Sequence, residues 1–426
     1  MRSSSTALLT GWACFLMFAG LHVSSVASEV PDQPLHEAFE RYLSAQREAL
    51  NLYRESPFFD SDQAMADAYR GVLQYTIGSI KAGALASHDH PRFARFVDWT
   101  SKAGLDNPDN NYYSALIADD GVYRIKGQRG SNAQLIFQLV IGQPGVGSAG
   151  SSTNVDVLYD HEIQTDEQGR FEILVSRERP DNTPNWIRNA SGAETLMVRA
   201  TFNDWLKEKH LPLMIERIDQ PLLAAPINSS QSMAAALDRT SQSLVDRTRS
   251  WLTLADNMWR RAPRNSLSPP RPTPGGLVGQ FSAFGNWDLH PEEALLINFR
   301  KADTPYVAIQ LGSLWFTSLD YETRSTSLNG HQLDCTPEQD CTVVISAQDP
   351  LVKNWLDTAG YSKGLIFMRW QGLDVLPPQT DWPRARKISV NDLDQYLTPA
   401  IPRINAEDRM NQRRERIEGV HGRFGG

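Results

Sequence analysis

Residues 173–202 read ILVSRERPDNTPNWIRNASGAETLMVRATF, and residues 343–372 read VVISAQDPLVKNWLDTAGYSKGLIFMRWQG. Each passage has an apolar run ending in serine (Ser176, Ser346), a proline-containing loop and an Asn-Trp pair (Asn185-Trp186, Asn354-Trp355). An Ala/Gly turn and an apolar run closed by arginine (Arg199, Arg369) follow in both. The spacings differ by about a residue, as expected if both copies keep two strands and vary the connection. A unit used twice sets the architecture: two related β-rich domains, with Trp186 and Trp355 at equivalent positions.

Working outward, runs such as VYRIKG, AQLIFQLVIG, NVDVLY and RFEILVS cluster or alternate β-formers between Gly, Asn and Asp turns, the mark of an antiparallel sandwich or jelly roll. The Gly/Ser-rich residues 143–152 are a loop within it. Elsewhere the apolar period is helical. It holds over residues 35–54 (Leu35, Phe39, Tyr42, Leu43, Leu50, Tyr53), 61–85 and 229–261 (Met233, Leu237, Leu244, Trp251, Leu252, Ala255, Trp259). Residues 266–276, SLSPPRPTPGG, can be neither helix nor inner strand. The expected fold is mainly β with accessory α: two tandem jelly-roll-like antiparallel β-sandwich domains, N-terminal helices and a helical inter-domain segment. The boundaries are a signal peptide at 1–28, a helical segment at 29–100 and a first sandwich at 101–220. A helical insert and Pro-rich linker at 221–276, a second sandwich at 277–388 and a helical tail at 389–426 complete the chain. In that tail, glutamates interleave with Arg409, Arg413, Arg414 and Arg416, the pattern of a solvated face.

At 426 residues, 41% hydrophobic and 22% charged, the chain is an ordinary globular one able to bury substantial cores. A net charge of -8 without a long basic run argues against nucleic acid as a partner. Residues 1–28 combine Arg2, an apolar stretch over 7–20 and small residues before Glu29, which reads as a cleavable secretory signal. The stretch falls short of the roughly 20 apolar residues of a spanning helix, so no membrane association is expected after cleavage. Location is then periplasmic or secreted. Removing the signal discards Cys14 and leaves Cys335 and Cys341, read as a disulfide in an exported chain. The short loop limits its contribution to about 2 kcal/mol. Zinc is the alternative for that pair, but structural zinc usually takes four ligands.

Three blocks carry a resemblance: DNPDNNYYSALIADDGVYRIKGQRG (106–130), FNDW with the following IERID (202–219), and LGSLWFTSLDYETRSTSLNGHQ (311–332) with the NWLDTAGY passage. Together they resemble the domain of unknown function 1214 family, over about residues 89–372. The resemblance implies bacterial proteins built from β-sandwich units and implies no activity.

The densest polar and aromatic cluster lies between Trp315 and His331. Asp320 and His331 are candidate base and acid, Arg324 a candidate anion clamp, and Trp315, Tyr321 and Asn329 candidate ligand contacts. The plain structural alternative is an Asp320–Arg324 pair within a turn and a hairpin at Asn329-Gly330. Asn107, Asp109 and Tyr113, in and after DNPDN, are further candidates, because loops at sandwich ends often build sites. His88, Asp89 and His90, the run Asp160-His161-Glu162, and Asp288, His290 and Glu292 read as surface loops rather than metal ligands. The repeated Asn-Trp pairs read most simply as buried structure, with a ligand grip as the sharper alternative. No nucleophile elbow, zincin, phosphate-loop or dinucleotide motif appears, so neither cofactor nor metal is expected. The reading is an exported protein binding a small organic or saccharide-like ligand at loops between the two sandwiches. The alternatives are a hydrolase or lyase using an Asp/His pair, and a scaffold or assembly protein. Oligomeric state is not legible in the sequence.

Overall fold

A computed structural model describes residues 33–146, 152–221, 224–225, 227–273, 276–397 and 401–424. The proposed signal peptide and Cys14 lie outside the described residues. Nine strands form the first sandwich: β1 Ala94–Val97, β2 Asn110–Leu116, β3 Tyr123–Gln128, β4 Gln134–Ile141, β5 Thr153–Leu158, β6 Arg170–Ser176, β7 Trp186–Arg188, β8 Ala193–Thr201 and β9 Met214–Arg217. Ten more follow: β10 Ser266–Leu267, β11 Arg271–Pro272, β12 Gln280–Asp288, β13 Glu293–Arg300, β14 Tyr306–Gly312, β15 Ser327–Asn329, β16 Asp340–Ser346, β17 Trp355–Asp357, β18 Lys363–Gln371 and β19 Arg384–Ser389. The sheet orders are β1-β2-β8-β4-β5 over β7-β6-β3-β9, and β10-β12-β18-β14-β15 over β17-β16-β13-β19. Matching strands occupy matching places, so the molecule is two tandem sandwiches of one topology.

The repeated passages carry this equivalence to the atom. In both, the residue after the Asn starts a short parallel strand, Leu174 facing Trp186 and Val344 facing Trp355. Asn185 Nδ2 donates to the Gln164 and Glu172 carbonyls, and Asn354 Nδ2 to those of Asp334 and Thr342. Each indole N–H donates to the serine hydroxyl of its own copy, Trp186 to Ser176 and Trp355 to Ser346, at 3.0 Å in both. These pairs close loops through bonds the backbone would otherwise lack.

The strand cores are apolar as the alternation requires. Ile125, Phe137, Ile173, Leu196 and Val198 fill the first sandwich, and Trp287, Ile297, Ile309, Val343 and Met368 the second. Yet β4 and β18 are buried along almost their whole length, because their second face is covered too. That second face is polar: it presents Gln134, Gln138 and Arg199 from one sheet, and Gln280, Gln310, Arg369 and Gln371 from the other. The two sandwiches meet through it.

Helices α1 Gln33–Arg54, α2 Asp62–Ser79 and α3 Ser230–Arg261 pack on one side of the molecule and share a core with Leu314, Trp315, Phe316 and Phe367. Ser61 caps α2, accepting from the Ala64 N–H, and a five-residue π turn, Ile80–Ala84, ends it. The proline-rich stretch lies along the second sandwich as the edge strands β10 and β11 rather than as a free linker. Helix α4 Ala406–Phe424 also departs from expectation. Arg409, Arg416 and Arg423, one every seven residues, are buried, while Arg413 and Arg414 alone keep the solvated role. Arg409 pairs with Asp349 at 2.8 Å, Arg416 donates to the Tyr321 and Ser327 carbonyls, and Arg423 donates to the Pro108 carbonyl. The helix is thereby bolted across both sandwiches. Among the described residues no helix is long and apolar enough to cross a membrane. The Cys335 and Cys341 sulfurs are bonded, with Cα atoms 4.5 Å apart.

Candidate ligand-binding site

In the polar junction, closed over by α2 and α3, lies a cavity of about 190 Å³. Its floor comes from the repeat. Arg199 sits on β8 opposite Ile136, and Arg369 on β18 opposite Ala308. Each guanidinium donates to a glutamine two residues further along the neighbouring strand, Arg199 to Gln138 and Arg369 to Gln310. Arg369 also donates to the Leu105 carbonyl at 2.6 Å. Helix α3 adds Arg247, which donates to Gln143 at 3.0 Å.

Three arginines therefore line the cavity with Asp106 as the sole acidic lining residue among those described. The Asp106 carboxylate is already taken by the Ser318 N–H and hydroxyl, at 3.0 and 2.7 Å. No carboxylate among the described residues forms an ion pair with Arg199, Arg247 or Arg369. Burial depresses all three, Arg247 to about 10, and Arg199 also feels the charge of Arg369. Asp106 and Asp109 act on Arg369 through space, and Glu194 on Arg247, without outweighing burial. A buried cation without a paired counter-ion is costly, and an anion in the cavity would relieve it. Arg247 Nε and the Trp251 indole N–H have no hydrogen-bond partner among the described residues.

The walls are aromatic. Trp251 stacks on Phe316 at 5.5 Å and Phe284 on Phe367 at 4.2 Å, with Tyr112 and Phe96 beside them. Gly104 and Gly145, at φ 70 and 80, make room for the indole, since a Cβ at either would meet it at 3.2 and 2.6 Å. Leu105 and Phe316, at φ 51 and 59, hold left-handed backbone on the cavity wall, joined by a 2.7 Å bond from the Leu105 N–H to the Phe316 carbonyl. Non-glycine residues adopt that region at a cost, and here it sets the wall facing Arg369.

Of the candidates from the 315–331 block, Trp315, Asp320, Tyr321 and Arg324 line one groove, while Asn329 and His331 lie elsewhere. Asp320 accepts from the Glu322 and Thr323 N–H groups of its own turn, and burial and these bonds oppose each other, leaving it below the usual carboxylate range. His331 is exposed, with Nε2 3.6 Å from Asp204 Oδ2. Asp320 and Arg324 border a groove along α2, whereas His331 lies in a separate depression. The expectation of an Asp320/His331 acid–base pair is thus corrected. Arg324 pairs with Asp357 at 2.8 Å, not with Asp320. Trp315 is core, donating to the Ala64 carbonyl, and Tyr321 packs edge-on to Trp205 under Lys102. Asn329-Gly330 makes no hairpin. The Asn329 Oδ1 accepts from the His331 and Gln332 N–H groups, and β15 does not pair with β16.

Asp109 and Asn329 do meet, at 2.7 Å, inside the junction, where Asp109 also accepts from Trp205 and Tyr306 and Asn107 accepts from Tyr306. This network is saturated and structural, and of these residues Asn107 alone lines the cavity. Tyr113 lies against Arg95 and His210. His88 faces Asp89, itself held by Arg217, and Asp160 binds Arg129. Among the described residues no three His, Cys, Asp or Glu side chains cluster to hold a metal ion. The residues missed as a site, Arg199, Arg247 and Arg369, left one signal: two of them close the repeated passage in the same frame.

No family model matches the chain, and no curated protein matches it. Among solved structures it is similar to an uncharacterised protein from Burkholderia cenocepacia, 26% identical with a TM-score of 0.77, covering 84% of this chain and 99% of that one. A Vibrio parahaemolyticus protein aligns over 84% of this chain and 100% of its own at 10% identity, with a TM-score of 0.41 that carries no argument.

Proposed function

We propose that the protein is an exported small-molecule-binding protein whose ligand is a small organic anion held in the cavity between the sandwiches. The observation that carries this reading is the set of three arginines, Arg247 and Arg369 buried and Arg199 partly so, without an ion-paired carboxylate among the described residues, around a ring-walled space. Guanidinium forks match carboxylate or phosphate oxygens, and stacked aromatic walls favour a planar or apolar body over a bare inorganic ion. Export is supported by the signal-like residues 1–28 and by the bonded Cys335 and Cys341. Membership of the domain of unknown function 1214 family is part of the same proposal, resting on the three sequence blocks.

The test is native mass spectrometry of the purified chain, followed by titration with aromatic and aliphatic carboxylates. Arg199→Gln should weaken the best of them by about tenfold or more, the worth of a charged hydrogen bond in a dry site. Equal binding of the corresponding neutral amide or alcohol would remove the anion from the proposal.

A further inference from the structure

A second chamber of about 450 Å³ abuts the first, and Phe96, Pro144 and Arg247 line both. Its other walls come from different elements. Ala82, Leu85 and Ala86 come from the π turn and the segment after it, Phe93 and Ala94 from the start of the first sandwich, and Ala115 and Leu116 from β2. Lys81, His90 and Arg92 are its charged or titratable contributors. Leu85 is 76% exposed, an apolar side chain held in water at the chamber wall. Arg247 stands where the two spaces join, 5% exposed, with its Nε unpartnered.

The inner space is small. A dry cavity of about 150 Å³ holds one benzene, so about 190 Å³ takes little more than a ring-sized fragment and its acid group. The outer chamber is larger, its apolar side chains stand among Ser87, Ser114, Gln143, Thr195 and the cations, and it continues from the arginines rather than lying apart from them. Resting on the anion reading above, we infer that the ligand is an anionic amphiphile: a carboxylate set among Arg199, Arg247 and Arg369, with an alkyl chain that runs past the ring walls into the chamber bounded by Leu85, Ala86, Phe93 and Leu116. A chain confined to the inner space would leave the outer walls unused; a chain without the acid would leave the arginines without an ion-pair partner.

The test titrates the purified full chain with acetate, benzoate, octanoate and 1-octanol by calorimetry. Burying methylenes strengthens binding by about fourfold each, so octanoate should exceed acetate by far more than tenfold, and 1-octanol should fall at least tenfold short of octanoate. Ala86→Trp, at a partly exposed position, should weaken octanoate by about tenfold or more and leave benzoate unchanged. Ala82→Trp serves the same purpose if the first variant lowers the melting temperature. Benzoate binding with octanoate no tighter than acetate, and both tryptophan variants silent, would overturn the amphiphile while leaving the anion reading in place. Failure of every carboxylate to bind would overturn both, and 1-octanol matching octanoate would overturn the role given to the arginines.

Discussion

Asp109 is 1% exposed and receives three hydrogen bonds, from Trp205, Asn329 and Tyr306, at 2.6–2.7 Å. Removing its carboxylate orphans the buried Trp205 N–H and leaves Tyr306 and Asn329 only their other acceptors, Asn107 Oδ1 and the Asn203 carbonyl; an orphaned buried donor costs about 1–3 kcal/mol. Asp109→Ala should therefore lower the melting temperature sharply in calorimetry, whereas Asp320→Ala, which loses only a half-solvated turn, should cost about 1 kcal/mol or less. Similar losses for the two would show that the Asp109 network is not what joins the halves. His210 gives a pH prediction. Burial, with Arg129 and Arg95 nearby, depresses it from 6.5 to about 4, and its Nδ1 lacks a partner. The folded state thus binds fewer protons than the unfolded state between those values, so stability falls as pH drops from 6.5 toward 4. His210→Gln should flatten that part of a melting-temperature profile, and an unchanged slope would assign the loss to other groups. Sequence reading found Asp109 and Asn329 because polar density marks both saturated junctions and open sites. It could not tell them apart, since the difference lies in partners that are up to 220 positions away.

At the scale of elements, the strands and helices were legible because each obeys one period. RFEILVS became β6, AQLIFQLVIG became β4, and the period of residues 229–261 became α3. The Asn-Trp passages were legible for a further reason, since the same hydrogen bonds are made twice. Helix α4 was misread because Arg among Glu is ordinarily a wet surface, although the seven-residue spacing of Arg409, Arg416 and Arg423 is a stripe that one helix face would present together. Arg416 makes three hydrogen bonds, to the Tyr321 carbonyl and to both oxygens of Ser327, each at 2.9 Å. Arg416→Ala should cost about 3 kcal/mol or more, as for a broken buried polar network, and make α4 the first segment cut in limited proteolysis. Arg413→Ala should do neither, and a variant pair indistinguishable by either measurement would return α4 to the role of a solvated tail.

For the whole molecule, a polar junction between two apolar cores means that neither sandwich can present its β4 or β18 face to water as it stands without changing partners. Unfolding should accordingly be a single calorimetric transition. A ligand in the cavity should raise stability by about 2.7 kcal/mol at one hundred times its dissociation constant, and Arg369→Gln should abolish the gain for a carboxylate. Two resolved transitions, with only one moved by ligand, would mean that the halves act separately. The tandem plan could be read from the sequence because it repeats. The cavity could not, since Arg247 comes from a third element whose amphipathic pattern reports only that it packs.

Helix α4 follows both sandwiches in the chain, and its Arg416 and Arg423 supply the positive field around Asp109. During synthesis, both sandwiches emerge before these cations do. Until they arrive, the Asp109 charge has Arg369 near it but lacks the two cations of α4, so the seam is completed only when the helix lands. Assembly therefore has a built-in order in time, with the seam between the sandwiches completed last.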